Sequence, residues 1–111
     1  MRRDKPCVHL LYGVDISVNA GNFMYFAPFH YLLNCKKYDL KQQVKIGEIF
    51  AEEMTSLHVG QGWDILWHNV DKLEGKYPTE DHYLQMTAHK TGVLARLSSK
   101  LVCVHLNLSE K

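Results

Sequence analysis

Cysteine is scarce in this chain, and what there is does not pair by spacing: Cys7, Cys35 and Cys103 are odd in number, far apart and without a CxxC. A disulfide framework and a zinc knuckle are therefore not indicated, and a reducing, cytoplasmic setting fits best. No run of about 18 apolar residues occurs, so no transmembrane segment is expected. Arg2 and Arg3 are not followed by the apolar core of a signal peptide. An excess of charge of either sign is missing too: 13 Lys and Arg against 12 Asp and Glu leave a net charge of +1. That balance excludes broad attraction to nucleic acid or an anionic membrane, and any basic site must be local. There is no Gly-x-Ser-x-Gly elbow, no internal repeat, no low-complexity tract and no strand-like alternation of useful length. The expected fold class is all-α, and 46% hydrophobic content over 111 residues suffices for one modest core.

The spacing predicts long helices near 16–34, 40–68 and 79–105. Residues 1–13, with paired arginines, Pro6 and Gly13, read as a loop or a frayed helix end. Asp15 or Ser17 can cap the first long helix, which carries Val18, Tyr25, Phe26, Phe29, Leu32 and Leu33 on its apolar side and should bend at Pro28. Residues 35–39 read as a short polar connection and 69–77 as a loop. Pro78, Thr79, Glu80 and Asp81 form a good helix start, with Thr79 as cap and two acids against the positive dipole end.

Within this pattern, 57–67 (LHVGQGWDILW) stands out. Counting about 100° per residue, Ile46, Phe50, Met54 and Leu57 share an arc that Gln61, Asp64 and His68 continue, with Glu53 at its margin. A carboxylate in a core-facing row is costly unless paired, hydrogen-bonded or metal-bound. Either the row passes from core into a polar cavity, or the helix leaves the protein there. Gly60 and Gly62, each costing roughly 1 kcal/mol relative to Ala, imply that something approaches this backbone closely. The third helix repeats the anomaly: Lys90 falls within a stripe of Tyr83, Met86, Leu94, Leu97 and Leu101. An anion should meet it, from a carboxylate such as Asp64 or from a ligand, unless its ammonium snorkels out at the edge. Asp64 and His68 have the i, i+4 spacing of metal ligands, but two ligands are not a zinc site.

These pieces carry a resemblance. RRDKPCVHLLYG at 2–13, NAGNFMYF at 19–26, LHVGQGWDILW at 57–67, PTEDHYLQM at 78–86 and KTGVLARL at 90–97 are similar, in order, to the trans-prenyl diphosphate synthases, nearest the eukaryotic geranylgeranyl diphosphate synthases. The resemblance implies a helical bundle that is part of an isoprenoid-synthase fold. It implies a prenyltransferase condensing isopentenyl diphosphate with an allylic diphosphate to geranylgeranyl diphosphate, homo-oligomeric in full-length form. It further implies that Arg2 and Lys90 bind the allylic diphosphate and Arg3 the isopentenyl diphosphate. Thr91 would lie beside the developing cation, and Gln61 and Asp64 by the diphosphate and metal cluster. Tyr25, Phe26 and His58 would form the floor of the tail pocket.

The departures from the family pattern are two: the loop between Trp67 and Pro78 is a few residues longer than in the members that the chain most resembles, and both Asp-rich motifs are missing. The Asp-rich motifs that hold magnesium in such enzymes, one upstream of the paired arginines and one downstream of the Lys-Thr helix, are not in this sequence, and no two aspartates are adjacent. Residues 1–111 are therefore expected to be the central portion of a single synthase domain, with Mg2+ belonging to the full-length enzyme and the chain alone inactive. The alternative is a non-catalytic helical partner subunit of an active synthase.

Overall fold

A computed structural model describes residues 4–69, 75 and 77–108. They form helices and no strand: α1 (Val8–Tyr12), α2 (Val14–Leu33), α3 (Leu40–His68), α4 (Glu80–Lys90) and α5 (Gly92–His105). The all-α expectation holds. Arg2, Arg3 and, within the expected loop over 69–77, residues 70–74 and 76 lie outside the described residues.

Two compact units divide the chain, one ending at Lys37 and one beginning at Tyr38. In the first, part of the expected loop is the short helix α1. Gly13 separates it from α2 at φ 86°, a left-handed conformation that glycine adopts without strain. Neither Asp15 nor Ser17 caps α2; the Ser17 hydroxyl instead donates to the Gly13 carbonyl at 2.7 Å. No residue of α1 or α2 is buried, and Ile16, Phe23, Phe26 and Tyr31 on α2 are all exposed. A helix so apolar on every side suits the interior of a larger assembly of helices.

The second unit has the core. Asp39 starts α3 with a capping box: its Oδ1 accepts from the Gln42 N–H at 2.8 Å, and Gln42 Oε1 accepts from the Asp39 N–H at 3.1 Å. Gln42 Nε2 also donates to the Val104 carbonyl at 3.1 Å, which fastens the start of α3 to the end of α5. Thr79 caps α4 as its sequence indicated, accepting from the His82 N–H at 3.3 Å. Ile46, Ile49, Met86 and Val93 are buried between these helices.

Both expected stripes need correction. On α3 the buried residues are Ile46, Ile49, Glu53 and Gly60, a row rotated by roughly 60° from the expected one, with Ile46 and Asp64 at the common edge. Phe50, Met54 and Leu57 are only half-buried. The cause is that Glu53 is neutralised from α5, while side-chain-free Gly60 allows α4 to close in. The expected helix over 79–105 is interrupted at Thr91, and Val93 rather than Leu94 is buried beyond it; Leu94 and Tyr83 are exposed.

Candidate functional site

The site begins with a contact that only glycine permits. A Cβ on Gly60 would stand 2.7 Å from the Lys90 nitrogen, 2.8 Å from the His89 carbonyl carbon and 2.9 Å from His89 Cβ. The backbone of α4 thus lies directly on α3 at this point. By contrast, a Cβ on Gly62 would meet nothing within 4 Å, so the close approach inferred at both glycines holds at one.

That approach brings Lys90 beside Asp64. Lys90 Nζ donates to Asp64 Oδ2 at 2.5 Å, with the two side chains 33% and 19% exposed. The hydrogen bond from Lys90 holds the Asp64 carboxyl below its ordinary pKa, against a smaller opposing effect of burial. Asp64 is therefore ionised at neutral pH. A lysine ammonium has three donors, so Lys90 can bind Asp64 and still offer protons to a second anion. On the other side of Asp64, exposed His68 donates from Nδ1 to the Asp64 backbone carbonyl at 2.8 Å and lies 3.5 Å from Oδ1. Gln61 is half-buried next to Gly60, and Thr91 is exposed at the end of α4, where its N–H donates to the Thr87 carbonyl at 2.8 Å.

A second charged cluster lies about two to three turns back along α3 from Asp64. Glu53 is 1% exposed and accepts from Arg96 Nε at 3.3 and 3.1 Å and from Lys100 Nζ at 3.0 Å. Burial pushes the Glu53 carboxyl up, and the hydrogen bonds from Lys100 and Arg96 together with their charges more than reverse this, leaving it below its ordinary value. Lys100 is raised, chiefly by its hydrogen bonds to Glu53 and then Glu52. Ser56 Oγ accepts from Arg96 Nη2 at 3.3 Å and shares a hydrogen bond of 2.7 Å with His89 Nδ1. Trp63 meets the His89 ring edge-on, with centroids 5.7 Å apart. Sequence reading missed Glu53, Arg96 and His89 as partners; the signal was the row 46, 49, 53, 60 stepped by three, four and seven.

The sign of the pH dependence follows. Both lowered carboxyls stabilise the fold above their unfolded pKa values, and that contribution disappears as pH falls through the lower folded values. The melting temperature should therefore hold down to about pH 5 and fall below about pH 4. Lys100, being raised, contributes below its ordinary value and loses that contribution only in strong alkali. Circular-dichroism melts of the chain and of Glu53→Gln check this: the variant should have a lower melting temperature at pH 7 and a shallower acid decline.

Other residues named from the resemblance fall in both units. Tyr25 and Phe26 belong to the first unit and are exposed, and His58 belongs to the second, where its Nδ1 donates to the Met54 carbonyl at 2.7 Å. Among the described residues no group of three or more His, Cys, Asp or Glu could hold a metal ion. Magnesium, a hard cation with several oxygen ligands, does not fit Asp64, whose Oδ2 is committed to Lys90. What the described site can do is bind and orient an anion.

The sequence profile described as Polyprenyl synthetase matches residues 1–111. The chain belongs to the polyprenyl synthetase family. Among its relatives, Geranylgeranyl pyrophosphate synthase D of Phomopsis amygdali is 39% identical over 92% of this chain and 22% of its own length. Geranylgeranyl pyrophosphate synthase of Fusarium fujikuroi is 37% identical over 96% of the chain and 23% of its own length. That of Clitopilus passeckerianus is 34% identical over all of the chain and 31% of its own length. The chain thus spans less than a third of these synthases. No solved structure matches it. No helix among the described residues is long and apolar enough to cross a membrane.

Proposed function

We propose that this chain is the central segment of a prenyltransferase domain that joins isopentenyl diphosphate to an allylic diphosphate and yields geranylgeranyl diphosphate. The observation that carries the reading is the Asp64–Lys90 pair, set across α3 and α4 by the contact at Gly60, within a family whose named relatives are geranylgeranyl pyrophosphate synthases. Lys90 holds the allylic diphosphate with the donors that Asp64 leaves free, and Asp64 fixes the ammonium by its charge. Thr91, at once the C-cap of α4 and the N-cap of α5, is assigned to the developing cation next to Lys90. Gln61 completes the polar lining. Arg2 and Arg3 are assigned to the allylic and isopentenyl diphosphates, Tyr25, Phe26 and His58 to the pocket floor. The complete enzyme uses Mg2+, acts in the cytoplasm and is a homo-oligomer.

The experiment is a chimera in which residues 1–111 replace the matching segment of the Fusarium fujikuroi relative, assayed with isopentenyl and farnesyl diphosphates. Geranylgeranyl diphosphate should form. A folded chimera without turnover would refute the reading. In the active chimera Phe26→Ala should lengthen the product, because a five-carbon extension against a phenyl wall is excluded sterically, beyond the 1 to 3 kcal/mol by which about one methylene is discriminated. Chromatography of the products checks this, and an unchanged distribution in both Phe26→Ala and His58→Ala would place the floor elsewhere.

A further inference from the structure

Arg96 touches three helices at once. From α5 its Nε reaches both oxygens of Glu53 on α3, its Nη2 donates to Ser56 Oγ, and its Nη1 donates to the Ala88 carbonyl on α4 at 2.7 Å. That carbonyl is the one an unbroken helix would offer to the Gly92 N–H, four residues on. The guanidinium therefore supplies a donor where the helix is interrupted, next to Lys90 and Thr91. Gly92 leaves the path clear, since a Cβ there would lie 2.9 Å from Arg96 Nη1.

Cohesion alone does not account for this arrangement. A buried ion pair is often no more stabilising than apolar packing of the same volume, and here a carboxylate 1% exposed meets both the Arg96 guanidinium and the Lys100 ammonium. Arg96 Nε shares its proton between both carboxylate oxygens and Nη2 lies 3.1 Å from Oε2, so the plane of the guanidinium is fixed as well as its charge met. The end of α4 is thereby held from two sides, by the Gly60 backbone against Lys90 and His89 and by Arg96 at Ala88.

We propose that Arg96, oriented by Glu53, is a positioning residue that sets the α4–α5 joint and through it the placement of Lys90 and Thr91 for the allylic diphosphate. The substrate half of this inference rests on the reading of Lys90 given under Proposed function. Arg96→Lys separates positioning from charge: one ammonium keeps Glu53 neutralised but cannot serve Glu53, Ser56 and the Ala88 carbonyl together.

Two measurements test it. In the full chain, amide hydrogen exchange at residues 90–93 should quicken at least about tenfold in Arg96→Lys, while the amides of Ile46 and Ile49 stay within about twofold of wild type. Gly92→Ala, which obstructs the guanidinium without changing charge, should act in the same direction. Unchanged exchange at the joint in both variants would overturn the proposal. In the chimera, Arg96→Lys should raise KM for farnesyl diphosphate about tenfold with a smaller change in KM for isopentenyl diphosphate. A wild-type KM in Arg96→Lys would show that Arg96 only neutralises Glu53 and would overturn the positioning role. If Lys90→Ala also left that KM unchanged, the site reading and the substrate half would both fall, and the exchange rates would separate the two failures.

Discussion

Lys90→Ala in the chimera is expected to lower kcat/KM for the allylic diphosphate by about a hundredfold to a thousandfold, the range found when a preorganised donor to a charged group is removed. Two effects add. The diphosphate loses an ammonium that is two-thirds shielded from solvent, with a side chain 33% exposed. Asp64, ionised and 19% exposed, is then left without its cation beside the incoming anion. Asp64→Asn in the Lys90→Ala background should therefore recover part of the loss, and steady-state kinetics of the four proteins give the coupling directly. A loss below about threefold in Lys90→Ala would leave the pair without a role in substrate binding.

The second large effect is on folding. Gly60→Val places branched carbon where Lys90 N, His89 C and His89 Cβ stand within 2.9 Å of the first atom alone. Two of these are backbone atoms of α4 and cannot swing aside, so the helices must separate. The cost should reach about 3 kcal/mol, the upper part of the range for overpacking. For a domain of this size that corresponds to a fall in melting temperature of about 15 °C. Gly62→Ala is the control: nothing lies within 4 Å of its Cβ, and the gain in helix propensity should stabilise by up to about 1 kcal/mol. Equal effects of the two substitutions would show that the Gly60 contact does not hold α4.

Sequence alone placed α3 and the start of α4 well because their ends are written in local chemistry. Asp39 and Thr79 cap, and the capping boxes close with residues three positions on. Lys90 and Asp64 were legible for a different reason: charges on apolar helix faces demand partners, and these two answer each other. Glu53 was not legible in the same way. Two large apolar residues, Phe50 and Met54, drew the expected stripe away from it, and its partners Arg96 and Lys100 lie more than 40 residues on. The interruption at Thr91 is likewise invisible to a local reading. Thr91 keeps helical angles, φ −85° and ψ −36°, and the bond that marks the joint comes from Arg96, eight residues beyond Ala88.

The first unit shows the limit of periodicity. Apolar residues lie on every side of α2, so the apolar side expected at Val18, Tyr25, Phe26, Phe29, Leu32 and Leu33 is no distinct face, and Tyr25 and Phe26 acquire their assigned role from family likeness alone. The same holds for Arg2 and Arg3. By contrast, Gln61, Asp64 and Lys90 stand out by physical chemistry alone, as polar groups in apolar helix rows.

The central claim is that α3 and α4 bring Asp64 and Lys90 together to receive an allylic diphosphate. A crystal structure of the chimera with a thiolodiphosphate analogue of farnesyl diphosphate tests it most directly. The account predicts Lys90 Nζ within about 3 Å of a diphosphate oxygen while still bonded to Asp64. A complex in which the diphosphate lies elsewhere and Lys90 contacts Asp64 alone would contradict it.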